Sequence, residues 1–274
     1  MAKAKEKQLK GATGFDAYYA QLYGSRWQAL RKALLQPPRY IAFEPEKYPA
    51  KEYFLDAGSV CAALMLPLEK NCRILDMCAA PGGKSLILAS RMQAFDGVSL
   101  VCNELSQVRR KRLASVLDTY TASCLCNRIS VTGYDASKWC RYETEVFDRI
   151  LLDAPCSSER HVLQEPKYLA QWSPSRIKHV SQTQWALLSS AFRLLKCGGY
   201  VLYATCALSV QENDAVVQKL LCKFTNVQLL FPEPPCVFNS FRLPAGEKTA
   251  CGFHILPDVQ EGAGPLYFSL IQKI

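Results

Sequence analysis

From Arg73 onward, short apolar runs alternate with longer stretches whose apolar residues recur at helical spacing. The runs are Arg73–Asp76, Val98–Cys102, Arg128–Val131, Phe147–Leu152, Tyr200–Ala204, Phe224–Leu230 and Leu266–Ile271. The spacing predicts helices over about Lys84–Arg91, Ser106–Tyr120 and Ser181–Lys196, the last stopped by Gly198-Gly199. A further helix runs to about Cys222, opened by Ser209-Val210-Gln211-Glu212 as a capping box. Such alternation predicts an α/β fold with a doubly wound, mainly parallel sheet of about seven strands.

Upstream, Phe15, Tyr18, Tyr19, Leu22 and Tyr23, then Trp27, Leu30 and Leu34, fall at helical spacing. Gly24-Ser25 divides them into two helices, and Gln36-Pro37-Pro38 ends the second. Pro38 to Pro49 reads as linker, and Phe54 to Leu66 as another helix with Leu55, Val60, Leu64 and Leu66 on its core face. The expected division is a tail and small helical extension over residues 1–52, then one main domain over 53–274.

Composition narrows the class. The chain has 274 residues, 49% hydrophobic and 21% charged, as in a folded domain with a sizeable core. A formal charge of +9 favours a polyanionic partner. The four lysines and one glutamate of Met1 to Lys10 read as a solvated tail. One of the longest apolar runs, Cys61 to Leu68, contains a proline, so neither a membrane span nor a secretory signal is expected. Thirteen cysteines, many inside apolar segments, suggest reduced thiols in a cytoplasm. There is no Cys-x-x-Cys, and Cys124 and Cys126 have no histidine nearby, so no metal is expected.

The first run leads into Asp76-Met77-Cys78-Ala79-Ala80-Pro81-Gly82-Gly83-Lys84, a turn of small residues before a helix. Such a turn lets a ligand approach the backbone and meet the free N–H groups of the helix. Gly83-Lys84-Ser85 matches the end of a phosphate-binding loop, but Cys78 stands where that motif needs glycine. A purely structural turn is the other alternative. Four acids, Asp76, Glu104, Asp135 and Asp153, stand at or just past strand ends, which converge on one crevice in a parallel sheet. This predicts a nucleoside cofactor, with Glu104 on the ribose and Asp135 near the base. G-x-G-x-x-G is absent, so S-adenosylmethionine fits better than a dinucleotide.

Asp153-Ala154-Pro155-Cys156 and Thr205-Cys206 bring two cysteines to the same edge. A thiolate beside a methyl donor suggests methylation of a pyrimidine at carbon 5. Thiolate attack on carbon 6 makes carbon 5 nucleophilic, Asp153 near ring nitrogen 3 stabilises the developing charge, and a base removes the carbon 5 proton.

At these residues the chain resembles the Sun/RsmB-type (Nop/Sun) RNA (cytosine-5)-methyltransferases. The matching segments are Asp76 to Lys84, Asp153-Ala154-Pro155-Cys156-Ser157-Ser158 and Tyr203-Ala204-Thr205-Cys206-Ala207-Leu208-Ser209, followed by Glu212-Asn213. The resemblance covers roughly Tyr53 to Ile274 and implies a Rossmann-like class I methyltransferase sheet. It implies that Cys78, Ala79, Ala80, Pro81, Gly82, Gly83 and Lys84 line the S-adenosylmethionine site, with Glu104, Asp135 and Asp153. It makes Cys206 the nucleophile and Cys156 the residue that helps release product; DNA-type enzymes use the Pro-Cys cysteine instead. The segments flanking the domain look too short for an added RNA-binding domain, as in the short, organelle-type branch that acts on ribosomal or transfer RNA.

For RNA contacts, the basic run Arg109-Arg110-Lys111-Arg112 reads as a solvated helix face. Ser157 to Val180, carrying Arg160, His161, Lys167, Trp172, Arg176 and Lys178, reads as a loop gripping phosphates and stacking a base. His161 is a candidate base or phosphate contact. The expected protein is a monomer; the competing readings are a non-catalytic RNA-binding protein and a DNA cytosine methyltransferase.

Overall fold

The structure, a computed structural model, describes residues 9–43 and 52–274. Most of the expected basic tail, and the part of the expected linker after Phe43, lie outside the described residues. The chain opens with helices α1 (Gly11–Tyr23) and α2 (Trp27–Leu35), joined by one 3₁₀ turn at Gly24–Arg26. Strands β1 (Tyr40–Phe43) and β2 (Tyr53–Asp56) pair antiparallel and lead into α3 (Ala57–Met65). Then follow β3 (Arg73–Asp76), α4 (Gly83–Met92), β4 (Ser99–Asn103), α5 (Gln107–Tyr120), β5 (Ile129–Thr132) and β6 (Phe147–Asp153). Next come α6 (Glu159–Gln164), α7 (Pro166–Ala170), α8 (Pro174–Leu194), β7 (Leu195–Thr205), α9 (Asp214–Lys223) and β8 (Val227–Leu230). The short strands β9 (Val237–Phe238), β10 (Phe241–Arg242), β11 (Glu247–Lys248) and β12 (Phe253–Ile255) precede β13 (Leu266–Lys273).

Nine strands form one sheet in the order β11-β12-β13-β7-β6-β3-β4-β5, with β8 also on β13. Strands β3 to β7 run parallel, and β13 is antiparallel to β7. Every one of the seven predicted runs is in this sheet. The chain goes from β3 to β4 on one side and later crosses to β6 on the other, so β3 and β6 bound the crevice where such sheets bind ligands. Side chains alternate between two cores. Ile74, Leu151 and Leu202 join one with α3 and α4; Leu75, Ile150, Leu152, Val201 and Tyr203 join the other with α8 and α9.

Four local expectations are corrected. Tyr53–Asp56 is a strand, and α3 begins only at Ala57, where the Asp56 carboxylate accepts from the N–H groups of Gly58 and Ser59 at 2.9 and 3.2 Å. The other half of that hairpin, β1, lies within the predicted linker; Leu55 pairs with Ile41, and both are buried. Helix α8 starts at Pro174, not Ser181, and it ends before the glycines. Gly198, at φ +76°, lies in β7, where the register with β6 shifts between Phe147 and Arg149. The capping box does not form: α9 opens at Asp214, and the Glu212 carboxylate turns to Ser157 instead.

Helices α1 and α2 share a third core with the segment that follows β6. Phe15, Tyr19, Trp27, Leu30 and Leu34 pack on Val162, Leu163, Trp172 and Ile177, and on Leu208 after β7. Arg26 ties the 3₁₀ turn to Glu247 and Asp258, with both contacts at 2.6 Å. Trp172 is 1% exposed within this cluster, so it cannot stack a base as the sequence reading held. Trp27→Ala is expected to lower unfolding stability by about 3–5 kcal/mol in urea denaturation followed by circular dichroism. A loss below roughly 1 kcal/mol would mean that the extension folds apart from the domain.

Candidate active site

The turn after β3 is stitched to both neighbouring strands. Met77 N–H donates to Leu151 at 2.8 Å, and Ala79 N–H to Asn103 at 2.9 Å. Asn103 also accepts from Tyr134 N–H at 2.8 Å and from the Thr132 hydroxyl at 3.0 Å, which fixes the loop beyond β5. The glycines also serve packing. A Cβ on Gly82, which has φ +119°, would stand 3.0 Å from Val116 of α5, and one on Gly83 would stand 2.4 Å from Leu55.

Asp76 lies fully under this turn. Its Oδ2 accepts from Ser85 Oγ at 2.6 Å, while Oδ1 has no partner. Burial raises its carboxyl from 3.8 to about 7, with the charge of Asp153 adding to the effect. Lys84 reaches across to Asp153 at 2.7 Å and donates to Ser59 Oγ at 3.0 Å. Burial draws the Lys84 ammonium down, but Asp153 outweighs it and the net direction is up; the Cys206 sulfur acts in the same sense.

Glu104 is buried at the tip of β4, where it accepts from Ser106 N–H at 2.8 Å. Arg109, which was read as a solvated residue, stands over it: its guanidinium is 3.3 Å from Glu104 and donates to the Ala80 carbonyl at 2.7 Å. Asp135 stands past β5; the Ser137 hydroxyl and Lys138 hold its carboxyl below the usual range.

The loops after β6 and β7 bring Cys156 and Cys206 together with their sulfurs 2.6 Å apart, both as free thiols. Ser158 Oγ lies 3.5 and 3.4 Å from the two sulfurs. The hydrogen bond to Cys206, and then burial, push the Cys156 thiol well above its ordinary range. Two thiolates at this separation would repel, so at most one forms, and Cys156 is the partner that keeps its proton. A cavity of about 650 Å³ runs from these sulfurs past Lys84, Asp153, Cys78 and Ala80 to a rim of Pro38, Tyr40, Arg109 and His161. A second, of about 180 Å³, lies along Asp76, Ala79, Pro81 and Gly83. An elongated crevice with an orphaned buried carboxylate oxygen and flanking acids suits a cationic nucleoside such as S-adenosylmethionine. No phosphate cradle is present: the only lysine of the turn, Lys84, is engaged by Asp153.

The cationic candidates separate. His161 is exposed and lines the cavity, its ring 5.1 Å from that of Tyr168. Arg160 donates to the carbonyls of Gln36, Gly262 and Gly264 at 2.7, 3.0 and 2.7 Å, so its guanidinium braces the cavity wall instead of standing free for phosphate. Lys167, Arg176 and Lys178 are exposed on α7 and α8, outside the cavity lining. Sequence reasoning missed Ser59, Tyr40, Glu159 and the role of Glu212. Only Asp56-Ala57-Gly58-Ser59, with its aspartate two and three residues before free N–H groups, carried a local signal.

Folding raises the Asp76 carboxyl, so the folded chain holds its proton to higher pH than the unfolded chain does. Stability from this group is therefore present at low pH and declines as pH rises from about 4 to about 7. Asp76→Asn is expected to flatten that decline, by up to roughly 4 kcal/mol relative to wild type, in urea titrations across the range. Parallel slopes for the two proteins would count against a protonated Asp76.

The sequence profile of 16S rRNA methyltransferase RsmB/F matches residues 63–270. The chain is 33% identical over 239 residues to mouse 5-cytosine rRNA methyltransferase NSUN4, covering 81% of this chain and 60% of that protein. It is 34% identical to ribosomal RNA small subunit methyltransferase F of Serratia proteamaculans, covering 77% and 43%. It is 30% identical to mouse mitochondrial tRNA (cytosine(34)-C(5))-methyltransferase, covering 85% and 70%. The chain thus spans about half the length of several of these relatives. A methyltransferase homolog from Pyrococcus horikoshii has the same fold, with a TM-score of 0.70, 23% identity, and coverage of 95% and 94%. Matched along most of its length by that profile and by these relatives, the chain belongs to the 16S rRNA methyltransferase RsmB/F family.

Proposed function

We propose that this protein is an S-adenosylmethionine-dependent RNA (cytosine-5)-methyltransferase acting on ribosomal or transfer RNA through a cysteine–pyrimidine adduct. The observation that carries the reading is the meeting of two free thiols 2.6 Å apart, in a cavity that also holds Lys84 and Asp153. The names of the relatives point the same way. S-adenosylmethionine, when bound, supplies an electrophilic methyl group.

In this reading Cys206 is the nucleophile. The bond to Cys206 and burial hold the Cys156 thiol protonated, which leaves Cys206, beside the Lys84 ammonium, as the attacking sulfur. Its sulfur bonds to carbon 6, and the electrons of the carbon 5–carbon 6 double bond are freed for carbon 5 to take the methyl group. The Lys84–Asp153 pair would lie at the ring edge where negative charge develops, with the proton between them available to ring nitrogen 3. Once Cys206 is bonded to carbon 6, Cys156 loses its proton to solvent and accepts the one on carbon 5. The released pair re-forms the double bond, and the Cys206–carbon 6 bond breaks to return a thiolate. A cytosine must leave its stack to reach the sulfur, so the substrate is a loop or a flipped nucleotide. His161 at the rim and the exposed Lys167, Arg176 and Lys178 would meet phosphates beside it. Glu104 and Asp135 would take the ribose and adenine ends of the cofactor. Thirteen free thiols favour a reducing compartment.

Cys206→Ala is expected to reduce methyl transfer to RNA by more than roughly a thousandfold and to form no adduct. Cys156→Ala is expected to accumulate a covalent RNA–protein species, read as a shifted band in denaturing gels. An adduct in the Cys206→Ala protein would reverse the roles. Labelling of DNA alone by the wild-type protein would overturn the RNA assignment.

A further inference from the structure

Two carboxyls that the chemistry above does not use lie directly beneath the cysteine loops. Glu159 begins α6, and Glu212 stands just before α9; both are 0% exposed. The Ser157 hydroxyl touches Oε1 of each. Glu159 also accepts from Tyr19 Oη at 2.5 Å and from Leu208 N–H at 3.0 Å. Glu212 accepts from Ser157 N–H and from the Gln184 amide, each at 2.9 Å. Among the described residues, neither has an ion pair with an arginine or lysine.

The proton count is informative. A hydroxyl carries one proton, so Ser157 can donate to only one of the two carboxyls. The other contact needs a proton on the carboxyl itself. Two anions buried around one hydroxyl, with no cation, would repel strongly. Burial, and then the charge of Glu159, raise the Glu212 carboxyl, which places the extra proton there.

We propose that Glu159 and Glu212 form a singly protonated acid pair that holds the two thiols in register, making Glu212 a positioning residue for the methyl transfer. Each cysteine loop hangs on the pair by a backbone N–H: Ser157, next to Cys156, on Glu212, and Leu208, two residues past Cys206, on Glu159. Gln184 binds Glu212 and the Pro155 carbonyl together, both at 2.9 Å. The Tyr203 hydroxyl donates to the Glu212 carbonyl at 2.6 Å, which ties the pair to β7. The titratable groups facing it are the phenols of Tyr18, Tyr19, Tyr23 and Tyr203 and the Cys156 thiol. Burial foremost keeps the phenols neutral, and the bond to Cys206 keeps Cys156 protonated. Loss of the shared proton therefore leaves two adjacent anions with nothing to offset them, and the Ser157 hydroxyl must abandon one.

The role in catalysis rests on the methyltransferase reading, but the register can be measured without RNA. The probe is diamide, an azo oxidant that takes two hydrogens as Cys156 and Cys206 join in a disulfide; the linked peptides are counted by mass spectrometry. Glu212→Ala is expected to cross-link roughly tenfold more slowly than wild type at about pH 6, as loss of a buried hydrogen-bonded anchor requires. Glu212→Gln keeps the bonds but cannot ionise. It is expected to match wild type at about pH 6 and to exceed it several-fold at about pH 9, in cross-linking and in methyl-transfer rate alike. Wild-type cross-linking in Glu212→Ala would overturn the proposal. So would a Glu212→Gln profile that tracks wild type at every pH, and this arm stands even if the alanine variant fails to fold. If the cross-linking pattern holds while wild-type protein methylates no RNA, the acid pair stands and the proposed activity falls.

Discussion

The backbone pairing of β6 with β7 is the constraint on which the site depends. Asp153 stands opposite Ala204, and Ala154 N–H donates to the Ala204 carbonyl at 2.8 Å. Adjacent parallel strands lie only about 4.8 Å apart, so whatever follows each strand emerges beside its neighbour. Cys156 comes three residues after Asp153, and Cys206 two after Ala204. No long-range search is needed to bring the sulfurs together once the register is set. That register is held by a buried apolar ladder, Ile150 against Val201 and Leu151 against Leu202, and a one-residue slip would turn both runs to the wrong cores.

This explains why the strands and the thiol pair were legible in the sequence while much around them was not. Period-two burial and strand-end chemistry are local properties, readable from runs such as Ile74-Leu75-Asp76. Trp172 reads as an exposed ring among cations, but its burial is decided by Phe15 and Tyr19, more than a hundred residues upstream. Ser209-Val210-Gln211-Glu212 satisfies the pattern of a helix start, yet Glu212 meets a hydroxyl and an N–H of Ser157, fifty-five positions away. The small-residue turn was read as room for a ligand, and it lines both cavities; that Gly82 and Gly83 also make room for Val116 and Leu55 was not legible. Composition marks where side chains are small, and only the packed neighbours reveal what uses the space.

Charge is distributed unevenly across the crevice, and the two halves meet the cost of burial differently. On one side Lys84 and Asp153 offset each other at 2.7 Å. Asp76, fully buried beneath the turn, has no ion pair among the described residues, and burial raises it to about 7 against the opposing charge of Lys84. Buried acids without counter-ions keep protons, which is less costly than leaving a bare anion in a low-dielectric interior. The crevice thus holds one buried carboxyl, Asp76, whose ionisation a cationic ligand would favour, next to the thiol pair.

The helical extension belongs to this same arrangement. Tyr19 donates to Glu159, the Tyr23 hydroxyl to the Leu208 carbonyl at 2.9 Å, and the Tyr18 hydroxyl meets Ser209 Oγ at 3.2 Å. Three tyrosines of one helix thus reach the segments that follow the two cysteines. Their rings are fixed by the aromatic cluster, with Tyr19 stacked on Trp27 at 5.3 Å between centroids. Without α1, Glu159 would lose its phenol donor and Leu208 its cover, and the loops would keep their thiols without the floor that aligns them. Helix α1 therefore acts as a structural part of the site, although none of its residues lines the cavity that holds the sulfurs.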